Sequence, residues 1–156
     1  PPQPRRAPPP PMIASGYASL ALSAFLAATL IPASSEVVLS GLLASGEFDR
    51  GLLLAVASTA NTLGSVVNWL LGRFCLRWRD RRWFPVKREA LDRASRWFGR
   101  WGVWSLLLAW VPIIGDPLTL AAGVLKVDFL RFLALVALAK TTRYAALLGL
   151  LDWVVG

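Results

Sequence analysis

Histidine is absent from the 156 residues, and Cys75 is the only cysteine. The first absence removes the side chain most used for general base work and metal ligation, and with it His-dependent hydrolysis and most phosphatase schemes. The second excludes an intrachain disulfide and a cysteine-based metal site. No metal site and no cofactor are expected. An enzyme is the least supported class, because no nucleophile with a paired base is visible. Charge is missing over long stretches: Ala7 to Ser35 carries none, and neither does Gly51 to Gly72. Each stretch can supply the roughly 20 apolar residues of a bilayer crossing. With 56% hydrophobic residues and a mean hydropathy of +0.54, the chain reads as an all-α integral membrane protein with a single membrane domain over residues 12–156.

The charge that is present is unevenly placed. Of the net +8, the stretch from Arg73 to Arg100 alone holds +7, from ten basic residues against Asp80, Glu89 and Asp92. A basic patch is also the footprint of a nucleic-acid binder. Here it abuts apolar spans and is interleaved with Trp78, Trp83, Trp97 and Trp101. That combination points to a membrane interface beside anionic lipid headgroups, with no nucleic-acid partner.

Residues 1–11 hold seven prolines and the pair Arg5-Arg6, which reads as a disordered or polyproline arm. Met12 is a candidate start. The arginine pair before an apolar run also resembles a signal peptide ending near Pro32 to Ser34, a reading opposed by the later repeat of the residues that follow. Residues 13–45 form a first hairpin: Ile13 to Ile31 is apolar, Pro32 breaks it, and Val37 to Leu43 returns. Ser34 and Ser35 are placed to cap the returning half, with Glu36 near its positive dipole end. One long helix kinked at Pro32 is the simpler alternative. A polar turn at Ser45 to Arg50 leads into a span over 51–72, where Asn61 and Asn68 are polar; Asn61 suits packing and ligand binding equally. Residues 73–100 are a basic connector interrupted by Pro85. Lys87 to Trp104, after that interruption, is an amphipathic interfacial helix with Leu91, Ala94, Trp97, Phe98 and Trp101 on one face.

Residues 101–125 form a second hairpin around Trp110-Val-Pro-Ile-Ile-Gly-Asp-Pro117. Pro112 and Pro117 each remove a backbone donor, Gly115 gives turn freedom, and Asp116 sets a carboxylate at membrane depth. Broken backbone and charge in lipid are tolerated where protein buries them or water reaches them, so this is read as a re-entrant tip at a transport site; a short interfacial loop is the plainer reading. The last span covers 132–155.

The two halves echo each other. Pro32-x-x-x-Glu36 matches Pro112-x-x-x-Asp116, and Glu47-Phe-Asp-Arg50 matches Asp128-Phe-Leu-Arg131. With the connector cytoplasmic and both termini outside, the hairpins open from opposite faces, as in inverted-repeat transporters. Glu36, Asp116, Lys140 and Arg143 are then the charges at membrane depth. Two ion pairs holding hairpins to spans would account for them. So would a polar cavity in which Lys140, Arg143 and Asn61 hold a lipid phosphate, while Glu36 or Asp116 takes up protons because burial disfavours the charged carboxylate. The small residues on the spans would suit a homodimer.

Together, Ser35-Glu36-Val-Val-Leu, Asn61-Thr-Leu-Gly64, Leu71-Gly-Arg73, Trp110 to Pro117 with Ala122-Gly123, and Lys140 with Arg143-Tyr144 resemble the DedA (SNARE-associated, VTT-domain) family, in its short YqaA-like branch. The resemblance spans about residues 13–153. It implies two opposed re-entrant hairpins in a bacterial inner-membrane protein that moves undecaprenyl phosphate or a phospholipid across the bilayer, with dependence on the proton-motive force. Glu36 carries over. The family's second-hairpin arginines do not: Ala109 and Gly115 stand in those places.

Overall fold

The computed structural model describes residues 10–29, 34–74, 76–78, 80–83 and 86–155. Pro32, Pro85, Cys75 and nearly all of the proline arm lie outside the described residues. Among the described residues six α-helices follow in order: α1 (Pro10–Ala27), α2 (Ser34–Ser45), α3 (Arg50–Phe74), α4 (Arg88–Trp101), α5 (Pro112–Val124) and α6 (Phe129–Val155). A 3-10 stretch over Gly102–Trp110 joins α4 to the break before α5. Helix α1 takes in Pro10 and Pro11, two residues assigned above to the arm. A first turn tolerates proline, because its N–H groups have no partner within the helix anyway.

Among the described residues three helices, α1, α3 and α6, are long and apolar enough to cross a membrane, where two were expected. Helix α1 has 18 residues, about 27 Å at 1.5 Å per residue, so it qualifies as a span and need not be half of a hairpin. Helices α2 and α5 have 12 and 13 residues and fall well short of the roughly 30 Å hydrocarbon core.

The chain breaks again at Val111, whose extended backbone precedes Pro112 at the start of α5. Here the expected hairpin tip needs correction. Gly115 and Pro117 lie inside the helix, so neither is a breaker. Gly115 serves by its missing side chain: a Cβ there would overlap the Ala109 carbonyl across the break. Pro117 removes the donor that would serve the Ile113 carbonyl, yet the helix continues past it to Val124. At the other end of the 3-10 stretch, Gly102 stops α4 with φ +60° and its N–H donates to the Phe98 carbonyl.

Helix α3 is the central strut. It packs on α1, α5 and α6. Its crossing with α5 is close enough that a Cβ on Gly72 would overlap the Leu120 carbonyl, and one on Gly123 the Trp69 carbonyl. Helix α6 runs antiparallel to α3. Arg50 at the start of α3 pairs with Asp152 near the end of α6 at 2.6 Å, while Trp69 near the end of α3 meets Phe129 at the start of α6, ring centroids 5.3 Å apart. Each half's core is closed by the other half's long helix. Trp69 belongs to the cluster built on α4, α5 and the 3-10 stretch. Tyr144 and Leu148 belong to the cluster built on α1, α2 and the first half of α3.

The repeat is visible with a shifted register. Asp49 accepts from the Leu52 N–H at 2.8 Å, and Asp128 accepts from the Arg131 N–H at 3.2 Å. Both are N-caps bonded to the third helical residue. Asp128 is therefore matched by Asp49, not by Glu47. In α4, Leu91, Ala94 and Phe98 are buried as expected, whereas Trp97 and Trp101 are 37% and 61% exposed and lie off the packed face.

Candidate functional site

Lys140 and Arg143 are three residues apart and so on one face of α6, near the middle of its 27 residues. Each meets an acid from a different broken element. The Arg143 guanidinium is bonded to the Glu36 carboxylate on α2. Lys140 Nζ lies 4.0 Å from Asp116 Oδ1 on α5. The four charges thus form two crossed pairs on adjacent turns of one helix. Lys140 is only 2% exposed, and a cation so placed needs its carboxylate, since an unpaired buried charge is far costlier than a paired one.

Beside the first pair sits a neutral bond. Ser35 Oγ and Tyr144 Oη are 2.8 Å apart, both fully buried. Ser35 precedes Glu36 and Tyr144 follows Arg143, so the hydroxyl pair fixes α2 against α6 at the ion pair. Ser34 opens α2 and its hydroxyl donates to the Ser23 carbonyl at 3.3 Å. Residue types gave no sign of the Ser35–Tyr144 bond; only adjacency to the two charges could have suggested it.

The broken end of α1 is served from α3. Asn61 Nδ2 donates to the Ala24 carbonyl at 2.7 Å, and Asn68 Nδ2 to the Ala28 carbonyl at 2.7 Å. A helix end leaves four carbonyls without helical partners, and at membrane depth no water is guaranteed to serve them. Asn68 also reaches Thr119 Oγ1 at 3.3 Å, and that hydroxyl donates to the Asp116 carbonyl at 2.8 Å. Asn61, assigned above to headgroup binding, has its Nδ2 engaged on a backbone carbonyl. It is 1% exposed, and its Oδ1 is buried without a hydrogen-bond partner among the described residues. Asn68, seven residues on and hence on the same face, does the parallel work; that spacing was the available signal.

A surface groove runs along α6 past the Glu36–Arg143 pair. A cavity of about 250 Å³ shares Trp110, Arg143 and Ala146 with one of about 410 Å³. It shares Glu36, Leu147 and Leu150 with a third of about 200 Å³. The walls are apolar, and among the described lining residues Glu36 and Arg143 supply the charge. Lys140 and Asp116 line none of these cavities. Of the two bases assigned above to a headgroup, the groove therefore reaches Arg143 alone. Among the described residues no cluster of side chains suits a metal ion.

The profile of the VTT domain matches residues 31–152, which includes both pairs and the groove. Inner membrane protein YqaA of Escherichia coli (strain K12) is 38% identical over 130 residues, 82% of this chain and 85% of the relative. An uncharacterised protein of Haemophilus influenzae is 35% identical over 136 residues, 83% of each chain. Undecaprenyl phosphate transporter A of Staphylococcus aureus is 27% identical over 138 residues, 81% of this chain and 68% of the relative. No solved structure matches the chain.

Proposed function

This chain belongs to the VTT-domain, or DedA, family, and on that premise we propose that it is a transporter of the bacterial inner membrane that moves a phosphate-bearing lipid, undecaprenyl phosphate or a phospholipid, between leaflets. The observation that carries the reading is the groove itself: a lateral, apolar-walled channel along α6 with one guanidinium in its wall, held by a carboxylate that a phosphate can replace. Acyl chains stay against Leu138, Leu147 and Leu150, while the headgroup passes Arg143. A guanidinium binds phosphate and carboxylate through the same forked geometry, so Glu36 and the lipid compete for one partner. Exchange of the Glu36 carboxylate for the lipid phosphate on Arg143 is the uptake step, and a proton gradient is its proposed driving force. The crossed pairs on α6 let the two hairpins respond to the same helix, with the connector cytoplasmic and the hairpins opening from opposite leaflets.

A small-solute or ion transporter would need an enclosed polar chamber; the apolar walls favour a lipid. The plainer alternative is a non-transporting subunit in which both pairs are locks. Translocation of a fluorescent phosphate-bearing lipid in proteoliposomes separates them. Wild type is expected to move the lipid, Arg143→Gln not to, and Glu36→Gln to bind it without turnover. Absence of translocation by correctly folded wild type, with normal binding to partner proteins, supports the subunit reading.

A further inference from the structure

We propose a second lipid site, separate from the α6 groove, between α4 and α5: a cleft that seats one acyl chain of an anionic bilayer phospholipid with its phosphate on Arg93. The cleft, about 220 Å³, is lined by Arg93 and Trp97 of α4 and by Ile113, Ile114 and Pro117 of α5. It shares no lining residue with the groove on α6. Its walls are otherwise apolar, and Ile113 is 83% exposed at its rim, which asks for a hydrocarbon occupant. Arg93 is exposed, and among the described residues it has no ion-pair partner. Arg96 and Arg100 follow it at three and seven residues, on neighbouring turns of the same helix.

Charge chooses the occupant. A second copy of a chain with net charge +8 would bring like charge against these arginines. An anionic lipid supplies both halves of what the cleft offers, a phosphate for the guanidinium and a chain for the apolar floor. Trp97, Trp101 and Trp104, exposed on α4 and the 3-10 stretch, suit the headgroup level at which such a lipid lies. The site anchors α4 to the bilayer next to the start of α5, and it stands whether or not the α6 groove transports anything.

The test uses the full chain purified in a neutral detergent, with retained lipid counted by native mass spectrometry. Phosphatidylglycerol and phosphatidylcholine of identical chains are the probes. Wild type is expected to retain phosphatidylglycerol about tenfold better, the scale of one charge-assisted bond. Arg93→Gln removes the preference, Arg93→Lys restores part of it, and Ile113→Trp, which fills the cleft, lowers retention of both lipids. Arg100→Gln, off the cleft, leaves retention within about twofold. Equal retention of the two lipids overturns the proposal. So does an equal loss in Arg93→Gln and Arg100→Gln, which signals diffuse surface charge, and so does dimerisation that buries the cleft.

Discussion

Glu36→Gln gives the sharpest test of what the α6 pair is for, because the two readings predict opposite signs in binding. The Glu36 side chain is 32% exposed and that of Arg143 10% exposed. Such a pair lies between an exposed one, contributing about 0–1 kcal/mol, and a buried one whose breakage costs about 3–5 kcal/mol. A loss of about 1–3 kcal/mol in stability is therefore expected on replacing the carboxylate with an amide, since Arg143 stays half-served by the amide oxygen. If Glu36 competes with a phosphate for that guanidinium, the same 1–3 kcal/mol no longer opposes lipid binding. Affinity for a phosphate-bearing lipid should then rise by about 5- to 150-fold, even as the thermal midpoint falls. Arg143→Gln should lose stability to a similar degree and lose binding altogether. Both quantities are measured on one sample: thermal unfolding in detergent, and titration with a short-chain lipid phosphate. If Glu36→Gln and Arg143→Gln weaken binding equally, or if neither changes it, the exchange mechanism is wrong and the pair is only a lock.

The second pair is more deeply placed, and Asp116→Asn should cost more than Glu36→Gln, about 3–5 kcal/mol, because it leaves Lys140 buried without its carboxylate; the double variant Asp116→Leu, Lys140→Met should recover most of that midpoint. Tyr144→Phe strands the Ser35 hydroxyl and is expected to lower stability by about 1–3 kcal/mol, read by thermal unfolding, with expression retained. Asn68→Ala removes the donor for the Ala28 carbonyl and a partner of Thr119, so a loss of about 1–3 kcal/mol should appear with faster hydrogen exchange at the end of α1.

Much of the helical order was legible because α1 and nearly all of α3 are charge-free runs, and an aspartate stands directly before both α3 and α6. The two acids and two bases at membrane depth were legible as expensive charges. Which acid meets which base was not, because Glu36 and Arg143 are 107 residues apart and only the packing of α2 against α6 joins them. Gly115 misled for an instructive reason. Glycine in a sequence signals either backbone freedom or missing bulk, and the two look alike until the neighbouring carbonyl is placed. Asn61 was open for the same kind of reason: an amide on an apolar helix is a ligand or a cap for someone else's carbonyl, and its capping bond became visible only once the end of α1 was placed beside it. The repeat register slipped by two residues because Glu47 and Asp49 are both acidic, and capping geometry, not charge, picks the equivalent of Asp128.

Element lengths carry the topological claim that most exposes the transport reading to refutation. Helix α5 spans 13 residues, about 20 Å, two thirds of the hydrocarbon core. Residues 126–128 should therefore return to the face from which the connector enters, while α3, at 25 residues, carries the chain fully across. In a background with Cys75→Ser, single cysteines at Glu47, Arg88 and Lys126 report the faces. Labelling of intact cells with a membrane-impermeant maleimide is expected at Glu47→Cys alone. Arg88→Cys and Lys126→Cys should react only after the cytoplasmic face is opened. If Lys126→Cys reacts together with Glu47→Cys, the second broken segment crosses the bilayer. The acids Glu36 and Asp116 would then reach α6 from one side only, and a helix that answers to both leaflets would have no basis in this fold.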